Sequence, residues 1–192
     1  MNLASLFVLP TLLISLVFNP VFGEDFPVDE HPIYQGGILT IPRVDTSDQV
    51  GKFQDVKLLL TEQGDWRLID VKIPLAGLYV ETVQTVVTET FPFQVFLKVN
   101  GSFSNGCITM GQIAQRMKAN RFEIVMYDQN NAKQPEETCT AALVPFEKII
   151  PLSVYGLSAG TYEYSLSGVR SLDAIGTKTF TGTFNIPRDN KF

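Results

Sequence analysis

Apolar residues at every second position, broken by turn chemistry about every ten residues, constrain this chain more than any other feature of it. Phe93, Val95, Leu97 and Val99 alternate with other residues, and Phe122, Ile124 and Met126 repeat the pattern. Phe180, Gly182, Phe184 and Ile186 share one face of a closing segment. A period of two lines such residues along one side of a pleated strand, and the Val- and Thr-rich stretch 80–90 suits the same half-buried surface. Further strands are predicted over 149–155, 161–167 and 177–186. Asn100-Gly101 reads as a turn pair and 128–131 as a break in the pattern. Only 110–119 has a spacing that would also suit a helix.

Pro74 to Gly77 marks a boundary, and three more strands are predicted before it. Gly36-Gly37 opens the first, 38–41, and Pro42 ends it. The second, 53–61, carries Val56, Leu58 and Leu60 at period two. The tight turn Gln63-Gly64-Asp65 leads into the third, 66–73, whose register shifts near Asp70 as a bulge would produce. Three strands alone bury too little to stand by themselves. The chain therefore reads as all-β, a short three-stranded β meander over 34–75 followed by an antiparallel β-sandwich over 78–188.

The N-terminus points to a compartment. Residues 1–23 hold no charged side chain, 3–22 are nearly all apolar, and Val21-Phe22-Gly23 offers small residues where a signal peptidase cuts. The expectation is a signal peptide over 1–23 and then a flexible acidic leader over 24–33, with Glu24, Asp25, Asp29 and Glu30 beside Pro27 and Pro32. The mature protein would then be periplasmic or secreted. About twenty apolar residues could also span a bilayer. Pro10 and Pro20 interrupt them, however, and no Lys or Arg follows closely to stop transfer, so no stable membrane anchor is expected after cleavage. A formal net charge of −5 argues against nucleic acid as a partner. The densest basic group, Arg116, Lys118 and Arg121, reads as a solvated face.

The run Asn105-Gly106-Cys107, then Cys139-Thr-Ala-Ala-Leu-Val-Pro-Phe-Glu147, then Leu157-Ser-Ala-Gly-Thr-Tyr162 and the closing Thr183-Phe-Asn-Ile186, resembles an immunoglobulin-like β-sandwich module of bacterial exported proteins and lipoproteins. The segment Gly37-Ile-Leu-Thr-Ile-Pro-Arg-Val44 with Phe53-Gln-Asp-Val56 is similar to a short β unit of such proteins. The resemblance implies an immunoglobulin-like sandwich outside the cytosol, with no activity to carry onto any residue. The chain departs from many of those relatives in having no cysteine at the cleavage site to carry a lipid.

Few constellations carry chemistry. Cys107 and Cys139, the only two cysteines, lie far from any C-x-x-C or metal spacing and are expected to form a structural disulfide. Gly156-Leu-Ser158-Ala-Gly160 matches the nucleophile elbow, but the alternating 161–166 follows where a helix is needed, and no histidine follows Ser158. A glycine-dependent hairpin explains the same letters. His31 is the only histidine and lies in the acidic leader, so with the cysteines paired no zinc or copper site is expected. Asp45 with Asp48, and Asp128 with Asn130, Asn131, Glu136 and Glu137, make oxygen-rich loops without EF-hand spacing, and no cofactor is expected. The acid pair Asp65 and Asp70 is the weak case for hydrolysis. Of the aromatics, Phe96 is expected to face outward, and the others, Trp66 and Tyr155 included, to pack inside. The function expected is that of a non-enzyme acting through contacts with an unidentified protein. The alternatives are a protease inhibitor presenting the loop 128–137 and, behind it, a carboxylate-based hydrolase.

Overall fold

The computed structural model describes residues 31–74, 77–130, 138–170 and 176–192, so the expected signal peptide and most of the acidic leader lie outside the described residues. Every regular element described is a strand, as the alternation predicts: β1 Ile33–Gln35, β2 Ile38–Val44, β3 Phe53–Leu60, β4 Trp66–Lys72, β5 Leu78–Val87, β6 Val95–Phe103, β7 Ile108–Lys118, β8 Arg121–Asn130, β9 Val144–Leu152, β10 Gly160–Arg170 and β11 Thr177–Ile186. The first four form an antiparallel sheet in chain order, and the other seven form a second sheet that curls into a sandwich.

The meander has a fourth strand that the pattern did not reveal. Gly36 and Gly37 both hold positive φ, 59° and 80°, so they join β1 to β2 as a two-residue hairpin. β1 is too short to announce itself by period. Pro42, expected to end its strand, sits inside β2, and the ladder runs Ile41 to Val56 and Arg43 to Gln54 on either side of it. β1 pairs only as far as Thr40, so a residue without an N–H is tolerated at this open edge.

In the second sheet, β7, β8, β10 and β11 make one layer, and β5, β6 and β9 the other. β10 joins them. Its Glu163–Ser167 stretch pairs in parallel with β8; a register shift follows between Leu166 and Val169, and Val169 and Arg170 then pair with Leu78 and Tyr79 of β5. At the far side the Gln115 side chain of β7 donates to the Pro151 carbonyl of β9, 3.2 Å. Between the layers lies one core in which Leu78, Leu97, Val99, Ile124, Met126, Leu166 and Ile186 are fully buried.

Two expectations from the pattern fail here for local reasons. The segment 110–119 is strand β7, and a register shift between Met110 and Ile113 scrambles the period of two that would have marked it. Asn100-Gly101 makes no turn and lies within β6. A Cβ at Gly101 would run into the Tyr79 carbonyl and the Phe146 ring, so close approach, and not turn geometry, selects glycine there.

Cys107 and Cys139 are bonded, with Cα atoms 5.5 Å apart and a sequence separation of 32. Closing a loop of that size stabilises a fold by about 3 to 4 kcal/mol in the chain-entropy account. The fully buried Asn190 ties down the C-terminal tail. It accepts from the Phe93 N–H (2.8 Å) and donates to the Phe93 and Val154 carbonyls (2.9 and 3.0 Å). Asn190→Ala strips three buried backbone groups of their partner, and we expect it to lower unfolding free energy by about 3 kcal/mol. A urea titration reads this as an earlier midpoint at unchanged slope.

Candidate functional site

Strand register sorts the side chains of the meander onto two unlike faces. Across one face, Tyr34, Leu39, Leu58 and Leu68 stand side by side on β1 to β4. Ile41 opposite Val56 and Leu60 opposite Trp66 extend the row in both directions. The other face carries Ile33, Thr40, Lys57 and Asp70 in one row and Gln35, Ile38, Leu59 and Arg67 in the next. There Lys57 donates to Asp70 at 3.1 Å, a bond that holds the Asp70 carboxyl below its usual range. Polar groups thus concentrate on one side. The apolar side ends at Arg43 and Gln54 near the β2–β3 loop and at the turn holding Glu62 and Asp65 at the opposite end.

A sheet with such a face normally buries it, yet no residue of these four strands is buried. Tyr34, Trp66 and Leu68 are 57, 46 and 55% exposed. Tyr34 and Trp66, on the two edge strands, pack edge to face with ring centres 5.9 Å apart and so lie across the half-buried side chains of β2 and β3. Trp66, expected inside, lies at the surface, and so does Tyr155. Phe96 faces away from the core, as expected, on a strand whose Val95 and Leu97 point inward. It lines a shallow depression of about 310 Å³ with Pro151 and Tyr155.

The meander is fixed to the sandwich through its β2–β3 loop, 45–52. Val50 is buried against Ala114, Val125 and Tyr127 on the outer face of β7 and β8. The Tyr127 hydroxyl donates to the Val50 carbonyl (2.7 Å) and accepts from Gln49 Nε2 (3.0 Å). Gly51 packs so closely on Ala114 that a Cβ there would overlap it. Arg116, held by Glu123 at 2.6 Å, donates to the Thr46 and Ser47 carbonyls. The solvated basic face expected for Arg116, Lys118 and Arg121 therefore fails at Arg116, which is spent on the loop. Its signal in the sequence was the unbroken apolar run Ile124 to Tyr127, which marks a strand buried on both sides.

The remaining groups of interest are dispersed. Asp45 accepts from the Gly51 N–H and pairs with Arg43. Asp48 accepts from Thr46 and Lys52, which hold its carboxyl down at about 2. Both shape the loop. Asp65 sits in the β3–β4 turn and Asp70 on β4, already paired with Lys57. Ser158 lies in the connection between β9 and β10, which cross from one layer to the other, so the expected hairpin is an inter-layer loop. Its carbonyl accepts from the Tyr162 hydroxyl at 2.9 Å. His31 is exposed. Glu136, Glu137 and most of the proposed inhibitory loop lie outside the described residues. Among the described residues, no three His, Cys, Asp or Glu side chains converge.

Two groups of β8 respond to pH. Partial burial pushes the Asp128 carboxyl up, against a smaller opposing pull from Arg170. Between the ordinary carboxyl value of about 4 and its own higher one, folded Asp128 keeps a proton that the unfolded chain has released. Its contribution to stability is thus complete below that window and lost as pH rises through it. Asp128→Asn should raise the urea midpoint relative to the parent at pH 7, and the gain should vanish near the acid end of that window. Tyr127→Phe leaves the Val50 carbonyl without its donor and should cost about 1.5 kcal/mol at neutral pH, read by the same titration.

Residues 97–186, just under half of the chain, match the family described as the ORF11 beta-sandwich domain. The matched stretch runs from β6 to the end of β11 and leaves the meander outside it. No curated protein and no solved structure matches the chain. Fold and family match agree on a β-sandwich module, built here with a second, open sheet docked on its outer face.

Proposed function

We propose that this is an exported, non-catalytic β-sandwich protein whose task is to hold another protein against the apolar face of its meander. One observation carries the reading: eight apolar side chains share a face of a four-stranded sheet in which no residue is buried. An apolar surface with Tyr34, Leu60, Trp66 and Leu68 exposed on it, rimmed by polar residues, is what contact sites look like. The docked loop supports the reading further, because it seats the sheet on the sandwich and presents the face with little freedom to adjust. The Cys107–Cys139 bond fits an oxidising compartment, and with the uncharged apolar N-terminal stretch it supports export to the periplasm or the medium.

The experiment is comparative capture. Tagged full-length protein and its Leu68→Asp variant serve as bait in envelope and culture-supernatant fractions of the native source, with Lys98→Ala on the sandwich as control. Leu68 is half exposed on an edge strand, so the substitution should leave thermal unfolding unchanged within a few degrees. Proteins recovered with the parent and the control should be lost with Leu68→Asp. Equal recovery by all three would refute the docking face.

A further inference from the structure

We propose that Asn105 is a modification site, where the folded chain converts its own asparagine to aspartate and isoaspartate without an enzyme. The chain has two Asn-Gly pairs, Asn100-Gly101 and Asn105-Gly106. In such a pair the glycine nitrogen can attack the asparagine side-chain carbon, because no Cβ hinders the approach and the backbone turns freely. At the second pair the Gly106 nitrogen gives its proton to solvent and bonds to Asn105 Cγ. Nδ2 takes up a proton and leaves as ammonia, which closes a five-membered succinimide. Water then adds to one of the two ring carbonyls and opens it, to aspartate or to isoaspartate. One water is consumed and one ammonia released.

The fold treats the two pairs differently. Asn100 and Gly101 lie inside β6, paired with Thr82 and Val80 of β5 on one side and with Glu147 and Phe146 of β9 on the other. Bending that backbone toward attack requires two ladders to open. Asn105 and Gly106 lie between β6 and β7, outside both strands. The Asn105 side-chain carbonyl accepts from the Cys107 N–H at 2.9 Å. That bond closes a small ring containing both Asn105 Cγ and the Gly106 nitrogen, so the reacting atoms are kept near each other. It also draws electron density toward Oδ1, where negative charge develops as the nitrogen attacks. Two weaker bonds must be given up. Nδ2 donates to the exposed Ser104 hydroxyl at 3.4 Å, and the Gly106 N–H donates to the carbonyl of exposed Thr140 at 3.2 Å, the long end of the usual range. A Cβ at Gly106 would run into the Thr140 hydroxyl, so packing demands the very glycine that makes the site reactive. Either product adds a negative charge. Isoaspartate also inserts one more carbon into the main chain, two residues before the bonded Cys107.

Ageing of the full native chain at mildly alkaline pH, followed by peptide mapping, tests the site. Asn105 should lose its amide about tenfold faster than Asn100 or more, because a central strand opens far less often than a turn. In strong urea, which frees both pairs, the two should convert at similar rates, and this ties the native difference to the fold. Asn105→Ser keeps an oxygen that can accept from the Cys107 N–H, so the chain should fold as before. That variant should lose the slow acidic drift that the parent shows on ion exchange. An Asn105 that keeps its amide in the native chain while converting in urea overturns the proposal. Equal conversion of both pairs in the native chain overturns it too, and so does an acidic drift that survives Asn105→Ser.

Discussion

Tyr127 reaches out from the sandwich to the backbone of a loop that belongs to the other sheet, and donates its hydroxyl to the Val50 carbonyl at 2.7 Å. Burial raises the pKa of that phenol, so it remains a donor across the neutral range. Around this bond Val50 fills the space beside Ala114 and Val125, Gly51 allows the backbone to come close, and Arg116 gathers two further carbonyls. The four strands of the meander bury no residue of their own, so they depend on this seat for their place in the molecule. Remove it, and what is left is a small open sheet of a kind that is marginal in water.

The division of labour between the two sheets follows from how each treats its apolar side chains. The seven-stranded sheet curls until its inner face is closed, with β10 leaving β8 for β5 at a register shift. Its stability is internal. The meander shows the opposite economy: it sorts polar groups to one face through pairs such as Lys57 with Asp70 and leaves the other face apolar and open to solvent. Leaving Trp66, Leu68 and Tyr34 half exposed forgoes part of the stabilisation that burying them would bring. A contact made by that face would recover the rest.

Much of the fold was legible because alternation survives wherever a strand is regular. The segment 93–99 declared its face, since Val95, Leu97 and Val99 are all buried. Alternation also reads Leu58 and Leu60 as facing a core, and in the meander that core is absent. Period reports which side chains share a face, and it is silent on what covers them. β7 was hidden by its register shift and β1 by its length of three residues. Gly101 misled because the same residue serves turns and close approaches alike. The docking of the loop left a trace in the Ile124 to Tyr127 run, but nothing in the sequence said that a loop some 75 residues upstream would supply the cover.

The bonded cysteines enclose the hairpin of β7 and β8, which means that Ala114, Arg116, Val125 and Tyr127, the sandwich residues that seat the loop, lie inside one covalent ring. Unfolding can open that ring only by unpairing strands within it, never by drawing its two ends apart. The cross-link therefore keeps the two strands that form the saddle under the open sheet in one covalent loop even when the chain unfolds.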